Sequence, residues 1–189
     1  WELGHAQGKA LADAIRGARR DLSKLEIFRL AQPWWLPYGV YRRLAEQRAR
    51  KLLERPLRRE HPRGAERLSG IAAGSGLRLD TVILLNAFES FMSAARDRCT
   101  VPAGGSPLPA PGACSAVALR GSRTAGGEPV LTRLFDYVTL VQPYFMIRDS
   151  RPDGRYRSFD FTVAPLAGAV DGINERGLAV TMNYAYTMD

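Results

Sequence analysis

Thiols and imidazoles are scarce enough in this chain to be weighed one by one. The thiols are Cys99 and Cys114, and the imidazoles are His5 and His61. A catalytic thiol needs a base, and both histidines come from a different part of the sequence than Cys114. A cut before Cys114 supplies another base. The freed α-amine, with an ordinary pKa of about 7.7–8.0, sits on the same residue as the thiol and takes its proton directly or through water. Downstream, Arg133 and Asp136 form an R-x-x-D pair. A carboxylate fixes an ammonium, and a guanidinium beside sulfur favours the thiolate. The same two residues also read as an ordinary ion pair on a strand.

Other chemistries find no residues to carry them. Two cysteines and two histidines give no cluster at zinc spacing, so no metal site is expected. There is no G-x-S-x-G elbow and no G-x-x-x-x-G-K-[ST] loop, and the glycines of Ala72-Ala73-Gly74-Ser75-Gly76 fit neither phosphate fingerprint. No cofactor is expected.

The elements that must position Cys114 are legible from periodicity. With 189 residues, 46% hydrophobic and 24% charged, the chain can bury a real core, which excludes disorder. Leu11, Ile15 and Ala18 share one helical face, and Tyr41, Leu44, Ala45, Ala49, Leu52 and Leu53 form a second stripe, with Glu46 and Arg50 spaced as an i,i+4 pair. A third helix is predicted from Asp80, as N-cap, to Ala95, with Val82, Leu85, Phe88 and Met92 inward. These stripes are expected in the core. Pro33 and Pro37 break the helices, and Trp34 and Trp35 between them are expected to fill a gap.

From Val101 to Ala113 there are four prolines and three glycines, which predicts an exposed connector. After it the period becomes two. Cys114–Arg120 alternates as a strand, Gly121–Glu128 is a turn, and Pro129–Thr132 returns, a hairpin beginning at a cysteine. Further strands are predicted at Tyr144–Arg148, Tyr156–Val163 and Leu178–Asn183, with Asp171-Gly172 and Arg176-Gly177 as turn or bulge signals. The expected class is α+β: a helical segment over 1–100, a connector over 101–113 and a largely antiparallel sheet over 114–189.

Charge follows the same division. Residues 1–113 hold 19 Lys and Arg against 11 Asp and Glu, and residues 114–189 hold 8 against 8, so the +8 belongs to the first part. No nucleic-acid motif accompanies it, so nucleic acid is not an expected partner, whereas contact with an anionic membrane surface stays open beside a plain solvated helix face. No apolar run approaches the roughly 18 residues needed to cross a bilayer. Trp1 opens no signal-peptide pattern, and the absence of an initiator Met reads as a processed or trimmed chain. A bacterial cytoplasm and a periplasm are both compatible with this sequence.

Three stretches in order carry a resemblance: Gly112-Ala113-Cys114-Ser115 with Thr132-Arg133-Leu134-Phe135-Asp136-Tyr137; Asp171-Gly-Ile-Asn174 through Gly177 to Asn183; and Asn86-Ala-Phe-Glu89 with Arg96-Asp97-Arg98-Cys99-Thr100. Together they resemble the N-terminal nucleophile hydrolases related to isopenicillin N acyltransferase and choloylglycine hydrolase. The resemblance implies an αββα sandwich, incomplete in this chain, preceded by a helical pro-segment. It implies autoproteolysis between Ala113 and Cys114, with Cys114 as nucleophile, Asp136 holding the α-amine, Arg133 orienting the thiolate or substrate, and Asn183 or Asn174 donating to the oxyanion. Relatives place the nucleophile at a Cys-Thr resembling Cys99-Thr100, so Cys99 competes for that role. Leu134 stands where relatives usually carry Asn. The implied partners are an acyl amide or acyl-CoA and the remainder of the same domain. The two cysteines could be reduced, or bridged in an uncut precursor. The contrasting expectation is a non-catalytic module whose basic helices dock on an anionic membrane surface or a protein.

Overall fold

A computed structural model describes residues 1–88, 90 and 112–183. Six α-helices with described bounds come first among these residues: α1 (Glu2–Ala10), α2 (Ala12–Asp21), α3 (Glu26–Leu30), α4 (Tyr38–Glu60), α5 (Pro62–Ser75) and α6 (Leu79–Asn86). Six strands follow: β1 (Gly112–Leu119), β2 (Val130–Tyr137), β3 (Phe145–Ser150), β4 (Ser158–Val163), β5 (Asp171–Asn174) and β6 (Ala179–Thr181). The chain is α+β. Its β part is two antiparallel sheets, β1-β2 and β3-β4-β5-β6.

The helical core gathers Ile15, Leu22, Phe28, Leu68, Ile71, Val82, Leu84 and Phe88. α1 lies directly on the backbone of α5. A Cβ on Gly4 would sit 2.2 Å from the Arg67 carbonyl oxygen, and one on Gly74 would sit 2.2 Å from that of His5. Only glycine permits so close an approach, so Gly4, Gly8, Gly70 and Gly74, spaced four apart on each helix, make the crossing. α5 opens with Pro62 in its first turn and ends at Gly76, whose φ of 70° is left-handed.

Several local expectations give way to tertiary contacts. Leu44 and Leu52 are exposed rather than in the core, while Ala45, Ala49 and Leu53 of the same stripe pack inward. Glu46 is buried and pairs with Arg42 and Arg43, not with Arg50, which pairs with Glu54. Arg43 also reaches Asp80 at 2.8 Å, tying α4 to α6. Asp80 is inside the first turn of α6 rather than at its N-cap, which is Arg78. Burial would push the Asp80 carboxyl up, but hydrogen bonds from Arg78 and Arg43 hold it below its ordinary value. Trp34 and Trp35 fill no gap: they are 95% and 66% exposed. Asp171-Gly172 is not a turn but the start of β5. The continuation of the third helix beyond residue 90 lies outside the described residues, as do connector residues 101–111.

The four-stranded sheet turns one face to the helices. Thr162, Arg148, Ser150 and Asp160 on that face are buried. The segment after β4 is strapped to α1 and α6 by side-chain amides: Gln7 donates to the carbonyls of Ala164 and Leu166, both at 2.9 Å, and Asn86 donates to that of Pro165 at 2.8 Å and accepts from the Ala167 N–H at 2.9 Å. The Gln7 carbonyl oxygen accepts from Arg67 and Arg148, and burial pulls Arg67 down to about 10.

Tyr144, ahead of β3, donates to Asp21 of α2 at 2.5 Å. Hydrogen bonds from Lys24 and then Tyr144 hold the Asp21 carboxyl below its ordinary 3.8, while burial and the Asp21 bond push Tyr144 up to about 12. Stability from the lowered Asp21 is present above 3.8 and lost as pH falls through its folded value, and that from Tyr144 is present below 10.0 and lost as pH rises toward 12. Tyr144→Phe should therefore cost about 1–2 kcal/mol across roughly pH 5–9, with the gap to the parent closing at both extremes. Denaturant titrations at several pH values check this.

Candidate functional site

The hairpin register decides which side chains can meet. Cys114 stands opposite Phe135 and Ala116 opposite Arg133. Residues directly opposite in an antiparallel pair share a face, and alternate residues along a strand do too. Cys114, Ala116, Arg133 and Phe135 therefore line one face, which is partly buried, while Leu134, 74% exposed, and Asp136 lie on the other.

That inner face meets the four-stranded sheet. Phe135 packs against Phe145 of β3 and Phe161 of β4, with ring centroids 5.6 and 5.7 Å away. Beside these rings Arg133 extends across the gap with only 7% of its side chain exposed. One guanidinium nitrogen, Nη2, donates to Cys114 Sγ at 2.9 Å, and the other, Nη1, donates to Asp171 Oδ1 at 2.7 Å. The Arg133 guanidinium carbon lies 4.5 Å from the centroid of the Phe135 ring. Burial pulls the Arg133 pKa down, but the bonds to Cys114 and Asp171 outweigh it and raise it above its ordinary value. Its Nε is buried without a hydrogen-bond partner among the described residues.

Asp171 is held in turn. It stands opposite Thr181 across the β5–β6 ladder, and the Thr181 hydroxyl donates to the same Oδ1 that accepts from Arg133. The line Thr181, Asp171, Arg133, Cys114 thus joins the outermost strand of one sheet to the first strand of the other. It aims a cation at a sulfur.

The remaining expected site residues are distributed around this line. Asp136 is not the ion-pair partner of Arg133: three positions along a strand put the two on opposite faces, so the guanidinium finds its carboxylate in Asp171. Asp136 instead stands across from Ala113, beside the Ala113–Cys114 bond. That bond lies inside β1, which begins at Gly112, two residues before the expected start of the strand at Cys114. Asn174 uses its carboxamide oxygen to accept from the N–H groups of Arg176 and Leu178, both at 3.0 Å, closing the turn in which Gly177 has a φ of 79°. Asn183 is exposed, two positions beyond Thr181, where the Met182 N–H still bonds to the Val170 carbonyl. Cys99 lies outside the described residues.

Asp171 is the site residue that sequence reasoning missed. Its Asp-Gly dipeptide carries a strong turn signal, which masks a strand position. The available clue was strand geometry, because an inward Arg133 cannot be neutralised by Asp136 three residues away. Among the described residues, no group of three or more His, Cys, Asp or Glu side chains is placed to hold a metal ion. The arrangement offers a thiol, a buried cation on it and a carboxylate that positions the cation. No protein-family model matches the chain, and no curated protein matches it.

Proposed function

We propose that this chain is the front part of a cysteine N-terminal nucleophile hydrolase or acyltransferase that acts on a linear acyl amide or an acyl thioester. The observation that carries the reading is the Arg133 guanidinium 2.9 Å from Cys114 Sγ on the inner face of the hairpin. Maturation begins when the sulfur attacks the Ala113 carbonyl carbon. The C–N bond to Cys114 breaks as a thioester forms, and water hydrolyses the thioester to release the Ala113 carboxylate and a free α-amine. In turnover the α-amine takes the thiol proton, the thiolate attacks the substrate carbonyl, and the leaving amine departs with that proton. Water or a second amine then resolves the acyl-enzyme. Arg133 holds positive charge beside the attacking sulfur, Asp171 and Thr181 fix its direction, and Asp136, next to the cut bond, holds the new ammonium. Asn183 is the oxyanion donor of choice, since the Asn174 carboxamide oxygen is engaged in its own turn.

The layer order supports an αββα sandwich. Helices cover the outer face of the four-stranded sheet, and the two sheets face each other through aromatic rings. Val117, Leu119, Val130 and Leu134 leave an exposed apolar face on the hairpin, which fits a further helical layer there.

The direct test is to incubate the purified chain and follow its intact mass and N-terminal sequence. Two associated pieces, one ending at Ala113 and one starting at Cys114, are the expected result. An active enzyme with that bond uncut would overturn the mechanism.

A further inference from the structure

The surface of α4 has a composition that the thiol chemistry does not use. Its outward face begins with Val40 and Leu44, both exposed, and continues with Arg48, Lys51 and Arg55 at helical spacing. These three cations have no ion-pair partner among the described residues, whereas Arg50 and Arg58 of the same helix are paired with Glu54. The turn that leads into the same end of α4 carries Trp34 and Trp35, 95% and 66% exposed, and Leu30 ahead of it is exposed as well. Along one side of the helix runs a groove of about 580 Å³ lined by six Arg and Lys side chains, among them Lys51 and Arg55, by Gln47 and by two carboxylates, Glu54 and Asp80.

We infer that this face of α4, with Trp34 and Trp35 at its leading end, docks on an anionic lipid bilayer surface. Two adjacent tryptophans held largely in water are costly unless their rings are withdrawn from it, and the headgroup region accepts an apolar ring with a polar N–H edge. Val40 and Leu44 extend the apolar contact by one helical turn, and the three unpaired cations beyond them meet anionic headgroups. A nucleic acid would satisfy the cations and stack on the rings but leaves aliphatic Val40 and Leu44 without a counterpart. Charge complementarity and the aliphatic start of the face together select the bilayer. α4 packs on α5 and α6, and its face shares no residue with the Cys114 site, so the inference does not rest on the proposed hydrolase.

The test is flotation of the full 189-residue chain with phosphatidylserine/phosphatidylcholine vesicles, with tryptophan emission recorded in parallel. Binding to anionic vesicles with a blue shift, and little binding to pure phosphatidylcholine, is expected. Changing Arg48, Lys51 and Arg55 together to Glu should weaken binding by at least roughly 100-fold, and changing Trp34 and Trp35 to Ser by at least about 10-fold with loss of most of the blue shift. All five residues are exposed, so circular dichroism and melting of the variants should match the parent. Cys114→Ala should bind vesicles as the parent does. No flotation of the parent, equal binding by the charge-reversed variant, or tighter binding to a single-stranded RNA oligonucleotide than to the vesicles would each overturn the inference.

Discussion

Cys114→Ala is expected to leave the chain uncut between residues 113 and 114 and to reduce acyl-amide turnover by more than roughly 10⁴-fold, the order of loss when a covalent nucleophile is removed. In the proposed mechanism both losses have one cause, since one sulfur attacks the Ala113 carbonyl and the substrate. The substitution also takes away the acceptor of Arg133 Nη2, a buried donor, at a cost of about 1–3 kcal/mol. Turnover must therefore be compared on protein shown to be folded by melting and circular dichroism. Cys99→Ala serves as the contrast and should stay within a few-fold of the parent. If Cys99→Ala is the inactive variant and Cys114→Ala the active one, the nucleophile is Cys99 and the cut lies before residue 99.

Arg133 and Asp171 should behave as a coupled pair in stability and unequally in turnover. Asp171→Ala leaves a guanidinium that is 7% exposed without its carboxylate. The expected destabilisation is about 3 kcal/mol, the low end for breaking a buried pair, because the Asp171 side chain keeps 27% exposure. Arg133→Leu removes the charge that touches sulfur and should lower turnover by about 10²–10³, the scale of losing a preorganised electrostatic group. Asp171→Asn keeps an oxygen for Arg133 and Thr181 and should lower turnover by only about 10-fold, since Asp171 acts through Arg133. In the double variant Arg133→Leu with Asp171→Ala, neither partner is left uncompensated, so its stability loss should fall at least 1 kcal/mol short of the sum of the singles. Chemical denaturation of all four variants, with steady-state kinetics on the folded fraction, measures both effects. Additive stability losses together with unchanged turnover would reduce the pair to an incidental contact.

Much of this architecture follows from local rules. A change of period from near four to two separates the helices, the last of which ends at Asn86 among those with described bounds, from the strands, which begin at Gly112, because periodicity reports only which face of an element is buried. Residues 101–111 and Cys99, on which the connector and the competing nucleophile were read, lie outside the described residues. The strand extends further than its alternation suggested, to Gly112 and Tyr137, because a hydrogen-bonded ladder continues wherever the partner strand supplies donors and acceptors, whatever the side chains.

What the sequence by itself determined is the inventory and the spacing: two thiols, two imidazoles, an Arg133 nineteen positions after Cys114, a basic first part and a balanced second one. What only the tertiary structure decided is who pairs with whom. Arg133 finds Asp171, 38 positions away in another sheet, instead of Asp136 three positions away. Glu46 finds Arg43 and, through it, Asp80 instead of Arg50. Trp34 and Trp35, apolar enough for a core, are left outside it. The physical reason is common to all three. Burial and charge pairing depend on the groups within a few ångströms in space, and sheet stacking and helix crossing set those neighbours without regard to their distance along the chain.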